Sequence, residues 1–138
     1  MIIAVSACLL GDNCKYNGGN NYSKKVAEYV MGHDIVPVCP EVIGGLPTPR
    51  EPSEIVNGIV MHKDGTSVDE EFRRGADIAL KKVKEAGAEL VILRSRSPSC
   101  GVRSIYDGTF TGTLVGGQGV FAKLLIDNNI KVLDESEI

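Results

Sequence analysis

The sequence predicts an α/β fold: one domain spanning residues 1–138, with a mostly parallel sheet and helices on both faces in a Rossmann-like, three-layer arrangement. Three observations predict it. Short continuous apolar runs, Ile2-Ile3-Ala4-Val5 and Leu90-Val91-Ile92-Leu93, suit strands buried on both faces. Segments with apolar residues at helical spacing alternate with these runs, the pattern of βαβ units. The length of 138 residues and the apolar fraction of 43% suit a single core. In such sheets ligands sit beyond the carboxyl ends of the strands, and cysteines stand at three of those ends.

Residues 2–5 form the first strand, followed by Cys8 and a polar loop over residues 11–21 that holds Gly18 and Gly19. A helix starts near Tyr22-Ser23, with Val26, Ala27, Tyr29 and Val30 on its apolar face and Gly32 as its stop. Ile35-Val36-Pro37-Val38 is the second strand, and Pro37 points to an edge or strand-end position. Residues 39–54 read as one long Pro- and Gly-rich loop carrying Glu41, Arg50, Glu51 and Glu54; loops of that length inside a domain are usually functional. Residues 55–62 read as an extended piece closed by a turn at Asp64-Gly65. Ser67 with Glu70 matches a capping box before a helix whose apolar face is Phe72, Ala76, Ala79, Leu80 and Val83, with Gly87 ending it. Residues 90–93 form the third long strand. A further helix follows Gly116-Gly117-Gln118-Gly119 and ends at Asn128-Asn129, and Ile130-Lys131-Val132-Leu133 is the last strand.

Composition excludes several classes of function. Aromatic residues make up 5%, with no Trp, too few for a nucleic-acid stacking surface. The net charge of −3 supplies no electrostatic grip on phosphate backbones, so no nucleic-acid partner is expected. No apolar stretch approaches the length of a membrane span. Met1 leads into a strand-like run without a basic segment, so a cytoplasmic location is expected, where thiols stay reduced.

Four cysteines in such a chain point to metal, catalysis or buried packing rather than disulfides. No Cys-x-x-Cys pair of a zinc ribbon is present. Single cysteines at separate strand ends suit a soft metal or cluster gathered by the fold. Cys8, Cys39 and Cys100 are therefore expected to meet around one metal cofactor with a position left open; the alternative is that each is a small buried hydrophobe. Cys14, in the polar loop, reads as a bystander, with a spare ligand or a sulfur relay as the alternatives.

Glu41, two residues after Cys39, could serve beside a metal as general acid or base, or be an exposed loop carboxylate. Ser97 and Ser99, flanking Pro98, could hydrogen-bond a thiolate or a substrate, or simply form the turn. Arg50 could bind an anionic or carbonyl-bearing substrate, or pair with Glu51 or Glu54. Gly117 and its neighbours could offer backbone N–H groups to a ligand, or allow the helix to pack closely. Arg50, Ser99 and Gly117 thus stand as candidates for substrate contacts. His33 and His62 lie far from any cysteine in sequence and receive no ligand role.

The motifs Ser6-Ala7-Cys8-Leu9-Leu10-Gly11, Cys39-Pro40-Glu41, Gly44-Gly45-Leu46, Pro49-Arg50, Ser97-Pro98-Ser99-Cys100-Gly101 and Ile105-Tyr106-Asp107-Gly108 together resemble a bacterial and archaeal family long described as a domain of unknown function. One of its member types is thiouracil desulfurase. The resemblance implies a 4Fe-4S cluster held through Cys8, Cys39 and Cys100, with the fourth iron open to a thiocarbonyl sulfur. It implies acid/base work for Glu41, with Ser97 assisting. The implied reaction is a non-redox replacement of C=S by C=O in a small thiolated nucleobase such as 2-thiouracil, releasing sulfide. Two alternatives stand beside it: a sulfur-trafficking or other sulfur-transfer protein using the same cluster, and a non-enzymatic domain in which the cysteines hold a structural metal.

Overall fold

The computed structural model describes residues 1–138. The chain runs through β1 (Ile2–Ser6), a 3₁₀ turn (Ala7–Leu10), α1 (Lys24–Tyr29), β2 (Asp34–Val38), α2 (Pro40–Ile43), β3 (Ser53–Val56) and β4 (Ile59–His62). It continues through α3 (Asp69–Ala86), β5 (Leu90–Leu93), β6 (Ser104–Tyr106), β7 (Leu114–Gly116), α4 (Val120–Asp127), β8 (Val132–Asp134) and a final 3₁₀ turn (Glu135–Glu137).

Four parallel strands form the central sheet in the order β2-β1-β5-β8. β1 is apolar on both sides, and the two-residue period of a strand divides its side chains between two cores. Ile3 and Val5, with Leu90 and Ile92 of β5, pack on Leu9 and on Val26 and Val30 at α1. Ala4, with Val91 and Leu93, packs on α3 and α4 through Phe72, Ala76, Ala79, Val83, Phe121 and Leu125. Helices therefore cover both faces as expected, but unequally: 16 buried residues gather on the α3/α4 side and seven on the α1 side. Complete burial of Phe72 or Phe121 contributes on the order of 2 kcal/mol each, so the larger core carries most of the stability.

Several sequence expectations hold to the residue. The Ser23 hydroxyl caps α1 by accepting the Val26 N–H at 3.2 Å. Gly87 ends α3 in the left-handed conformation, at φ 70°. The Pro37 strand is an edge strand. No helix is long and apolar enough to cross a membrane.

Four expectations are corrected. Residues 55–62 are not one extended piece: β3 and β4 form a hairpin that turns at Asn57-Gly58, both at positive φ, as a two-residue hairpin loop requires. Asp64-Gly65 makes only the next turn, after which Ser67 bridges Met61. That bridge draws Ser67 into the hairpin, so no capping box forms; Val68 takes the cap position without a side-chain bond. Residues 39–54 are not all loop, since α2 occupies Pro40–Ile43 with Pro40 in its first turn, a position that needs no backbone N–H. The last strand begins at Val132, because the Ile130 N–H is committed to the Leu125 carbonyl at the end of α4. The chain after Cys100 also forms a small β6–β7 hairpin that periodicity did not reveal.

Candidate active site

Register brings the site together. Ser6 pairs with Val38, and Val5 with Ile92, so β1, β2 and β5 end level with one another. The connection from β1 to β2 passes over one face through α1, whereas the helices leading into and out of β5, α3 and α4, lie on the other. The β1/β5 boundary is thus a topological switch point, where an open parallel sheet forms a crevice. A cavity of about 450 Å³ occupies it, and all four cysteines line it. None is in a disulfide.

Each expected ligand arrives from its own strand end. Cys8 sits in the 3₁₀ turn after β1, and its carbonyl accepts the Asn21 N–H at 3.0 Å, closing the polar loop back onto the strand. Cys39 is the residue between β2 and α2. The position of α2 depends on two glycines: a Cβ on Gly44 would lie 2.0 Å from the Glu71 carbonyl oxygen, and one on Gly75 would lie 1.9 Å from that of Pro40. Backbone-to-backbone contact of this kind is open only to glycine and presses the Cys39–Glu41 turn against α3.

Cys100 is held by the turn that follows β5. The Ser97 hydroxyl oxygen accepts the N–H groups of Ser99 at 3.1 Å and Cys100 at 3.0 Å, leaving its own O–H free to donate. The carbonyls of this turn then cap α4: Gly101 accepts from Gly119 at 2.8 Å, Pro98 from Val120 at 2.9 Å, and Ser99 from Phe121 at 2.9 Å and Ala122 at 3.1 Å. The N–H groups at the start of α4 are therefore spent on the Cys100 turn. Gly119 is required there, because a Cβ would stand 2.6 Å from the Ser99 carbonyl oxygen.

Two expected substrate contacts are not brought to the cavity. Ser99 is buried behind the turn, with its carbonyl engaged by α4. Gly117 faces Ile105, where a Cβ would make an ordinary contact at 3.4 Å. Arg50 does line the cavity, but it pairs with neither Glu51 nor Glu54. Its Nε donates to Glu41 Oε1 at 3.3 Å, Nη1 to the Pro47 carbonyl at 3.2 Å and Thr48 Oγ1 at 3.0 Å, and Nη2 to the Cys14 carbonyl at 2.8 Å. Four of a guanidinium's five N–H donors are thus committed within the chain. Arg50 ties the loop carrying Cys14 to the turn carrying Glu41.

Sequence reasoning left out Cys14, Ser6 and Asn21. Cys14 shares the cavity with Cys8 and Cys39, and its carbonyl accepts from the Cys39 Sγ at 4.0 Å. Its side chain is the largest influence holding the Cys8 thiol down, to about 7, and Cys39 down with it. Cys14 is itself pushed up. The Asn21 side chain also favours the Cys8 thiolate. Burial pushes the Cys100 thiol up, and the Ser6 hydroxyl opposes it; the same Ser6 oxygen accepts the Arg94 N–H at 3.0 Å and joins β1 to β5. Burial raises the Glu41 carboxyl above the usual carboxylate range, and Arg50 offsets only part of that. The one sequence signal for Cys14 was its place in a Gly-rich loop that begins and ends beside Cys8.

The donor set favours a sulfur-ligated, polynuclear group. Cys8, Cys39 and Cys100 stand around a shared cavity as soft sulfur donors. Thiolates of this kind are the usual ligands of an iron–sulfur cluster.

Fold and site together define an α/β protein with a thiol-lined cleft at the carboxyl edge of a parallel sheet. The profile of the 2-thiouracil desulfurase family matches residues 3–137, and the chain belongs to that family. The uncharacterized protein YbbK of Bacillus subtilis (strain 168) is 40% identical over 147 residues, covering 99% of this chain and 97% of its own length. Among solved structures, the 4Fe-4S-dependent thiouracil desulfidase TudS superposes with a TM-score of 0.92 at 38% identity, over 99% of this chain and 91% of that one.

Proposed function

We propose that this protein replaces the sulfur of a small thiolated nucleobase, such as 2-thiouracil, by oxygen from water, using a 4Fe-4S cluster held by Cys8, Cys39 and Cys100. The observation that carries this reading is the meeting of three thiols from three adjacent strand ends around one cavity that also holds the Glu41 carboxylate. When bound, the cluster supplies a thiophilic Lewis acid that polarises the C–S bond.

The chain's own groups supply the rest. Water and C=S become C=O and hydrogen sulfide, so one oxygen is added, one sulfur leaves and two protons move. Glu41, ionised, takes one proton from water as its oxygen adds to the ring carbon and passes it to the sulfur. It then takes the second proton, from the added hydroxyl, as C=O forms and the C–S bond breaks, and gives that proton up to the sulfur leaving as hydrogen sulfide. Its raised proton affinity suits a group that must both take and give. The free Ser97 O–H donates to the sulfur, where negative charge develops as water adds. Arg50 aims Glu41. Reduced thiols suit a cytoplasmic setting.

The test is anaerobic. Purified protein should contain about four iron and four sulfide per chain, as one cubane cluster requires, and should release sulfide from 2-thiouracil. Cys100→Ala should lose the cluster, whereas Glu41→Ala should keep it and lose activity by roughly 100-fold or more. Tight zinc bound by all four cysteines, or full activity in Glu41→Ala, would overturn the reading.

A further inference from the structure

We infer that Glu54 is a substrate-recognition residue whose two carboxylate oxygens do different things: Oε1 fixes the wall of the cavity, and Oε2 accepts a ring N–H of the bound heterocycle. The inference rests on the reading of the cavity as a thiobase site and adds what that site selects: cyclic thioamides that retain a ring N–H.

Glu54 lies on β3 and lines the cavity. Its Oε1 accepts two backbone N–H groups from the loop between β6 and β7, Gly108 at 3.0 Å and Phe110 at 3.1 Å. The loop is pressed onto β3, because Gly108 sits at φ 91° and a Cβ there would lie 2.6 Å from the Ile55 carbonyl oxygen. Tyr106 and Gly112, on either side of this anchor, line the same cavity. A single carboxylate oxygen thus sets the outer wall and is held there by two backbone donors.

The other oxygen is free. Oε2 has no hydrogen-bond partner in the chain, and no partnerless polar side-chain atom is buried, so Oε2 is accessible to solvent on a residue that lines the cavity. No cation pairs with Glu54, whereas the charge of Glu41 is shared with Arg50. Glu54 therefore presents a held, uncompensated anionic acceptor. A planar heterocycle of the uracil type carries N–H groups beside the carbon that bears the exchangeable atom. A charge-assisted bond from such an N–H to Oε2 would orient the ring, and N-methylation would remove it.

Glu54→Gln separates the two tasks. Gln keeps a carbonyl oxygen for the Gly108 and Phe110 bonds but places an NH₂ donor where Oε2 stood. Uracil has the same ring N–H groups and no sulfur to lose, so its binding to cluster-loaded protein can be measured by calorimetry without turnover. Wild type should bind uracil at least about tenfold more tightly than 1,3-dimethyluracil, and Glu54→Gln should weaken uracil by about 10- to 100-fold while leaving 1,3-dimethyluracil unchanged. Amide exchange at Gly108 and Phe110 should be unaltered in Glu54→Gln and faster in Glu54→Ala. Equal uracil affinity in wild type and Glu54→Gln, or no preference of wild type for uracil over its dimethyl form, overturns the inference. Sulfide release from 2-thiouracil by the same wild-type preparation reports separately on desulfuration. Its absence alongside the Glu54→Gln effect would remove the reaction and leave the recognition standing.

Discussion

Gly75 and Pro40 touch backbone to backbone: a Cβ on Gly75 would lie 1.9 Å from the Pro40 carbonyl oxygen. Mid-helix Gly→Ala ordinarily stabilises by up to about 1 kcal/mol through propensity. Here the methyl must displace α2, and overpacking of this kind costs about 1–3 kcal/mol. Gly75→Ala should therefore be net destabilising in urea unfolding. It should also lower cluster content, because the displaced turn carries Cys39 and Glu41. A stabilised variant with full iron would show that the contact does not constrain the site.

Arg50→Ala removes a guanidinium whose side chain is only 5% exposed and strands the Glu41 carboxylate and the Cys14 carbonyl. Breaking a buried pair costs about 3 kcal/mol or more; the 20% exposure of Glu41 places this case at the lower end. Arg50→Lys should recover only part of the loss, since one ammonium cannot reach four acceptors. The sign of the pH effect follows from the charges. Burial already raises the Glu41 carboxyl, and Arg50 is what opposes the rise. Without Arg50 it rises further, so the acid limb of the pH–rate profile should move to higher pH in Arg50→Ala, as read from kcat against pH.

Cys14→Ala tests the ligand set. Cys14 influences two of the proposed ligands without being counted as one. Iron content and the visible spectrum should match wild type in Cys14→Ala and collapse in Cys8→Ala, Cys39→Ala and Cys100→Ala. A cluster lost with Cys14 alone would make it a ligand.

Asp134, at the end of β8, is buried, yet its carboxyl is held below the usual range: burial pushes it up, and hydrogen bonds from Ser136 and Ser95 outweigh that. A depressed folded-state value contributes stability that is present above the unfolded value, about pH 3.9, and lost as pH falls through the folded one. Asp134→Asn should thus be less stable than wild type at pH 7. The gap in denaturant midpoint should close below about pH 4. A gap that stays constant with pH would assign the effect to packing.

The identity of the strands and helices was legible because burial leaves a periodic trace. Ile2 to Val5 and Leu90 to Leu93 are apolar on both faces, and Val26, Phe72 and Val83 recur at helical spacing. The hairpin at Asn57-Gly58 does carry a local signal, since Asn-Gly is a favoured two-residue turn, but Asp64-Gly65 offers a competing turn of the same kind seven residues on, and only the strand pairing decides between them. The capping box at Ser67 failed because a β-bridge to Met61, a contact outside the helix, claimed that residue first.

By itself, the sequence determined the fold class, the family and the three cysteines at strand ends, since these depend on residue type and local spacing. Tertiary structure alone decided how the remaining polar groups are shared out. Arg50 was spent on Glu41 and the Cys14 loop, the first N–H groups of α4 on the Cys100 turn, Cys14 on two neighbouring thiols, and one oxygen of Glu54 on a loop more than fifty residues away. The physical reason is that a hydrogen bond or ion pair depends on which groups meet once the chain has closed. Hydrophobic periodicity records which side of an element faces inward and carries no trace of such partners.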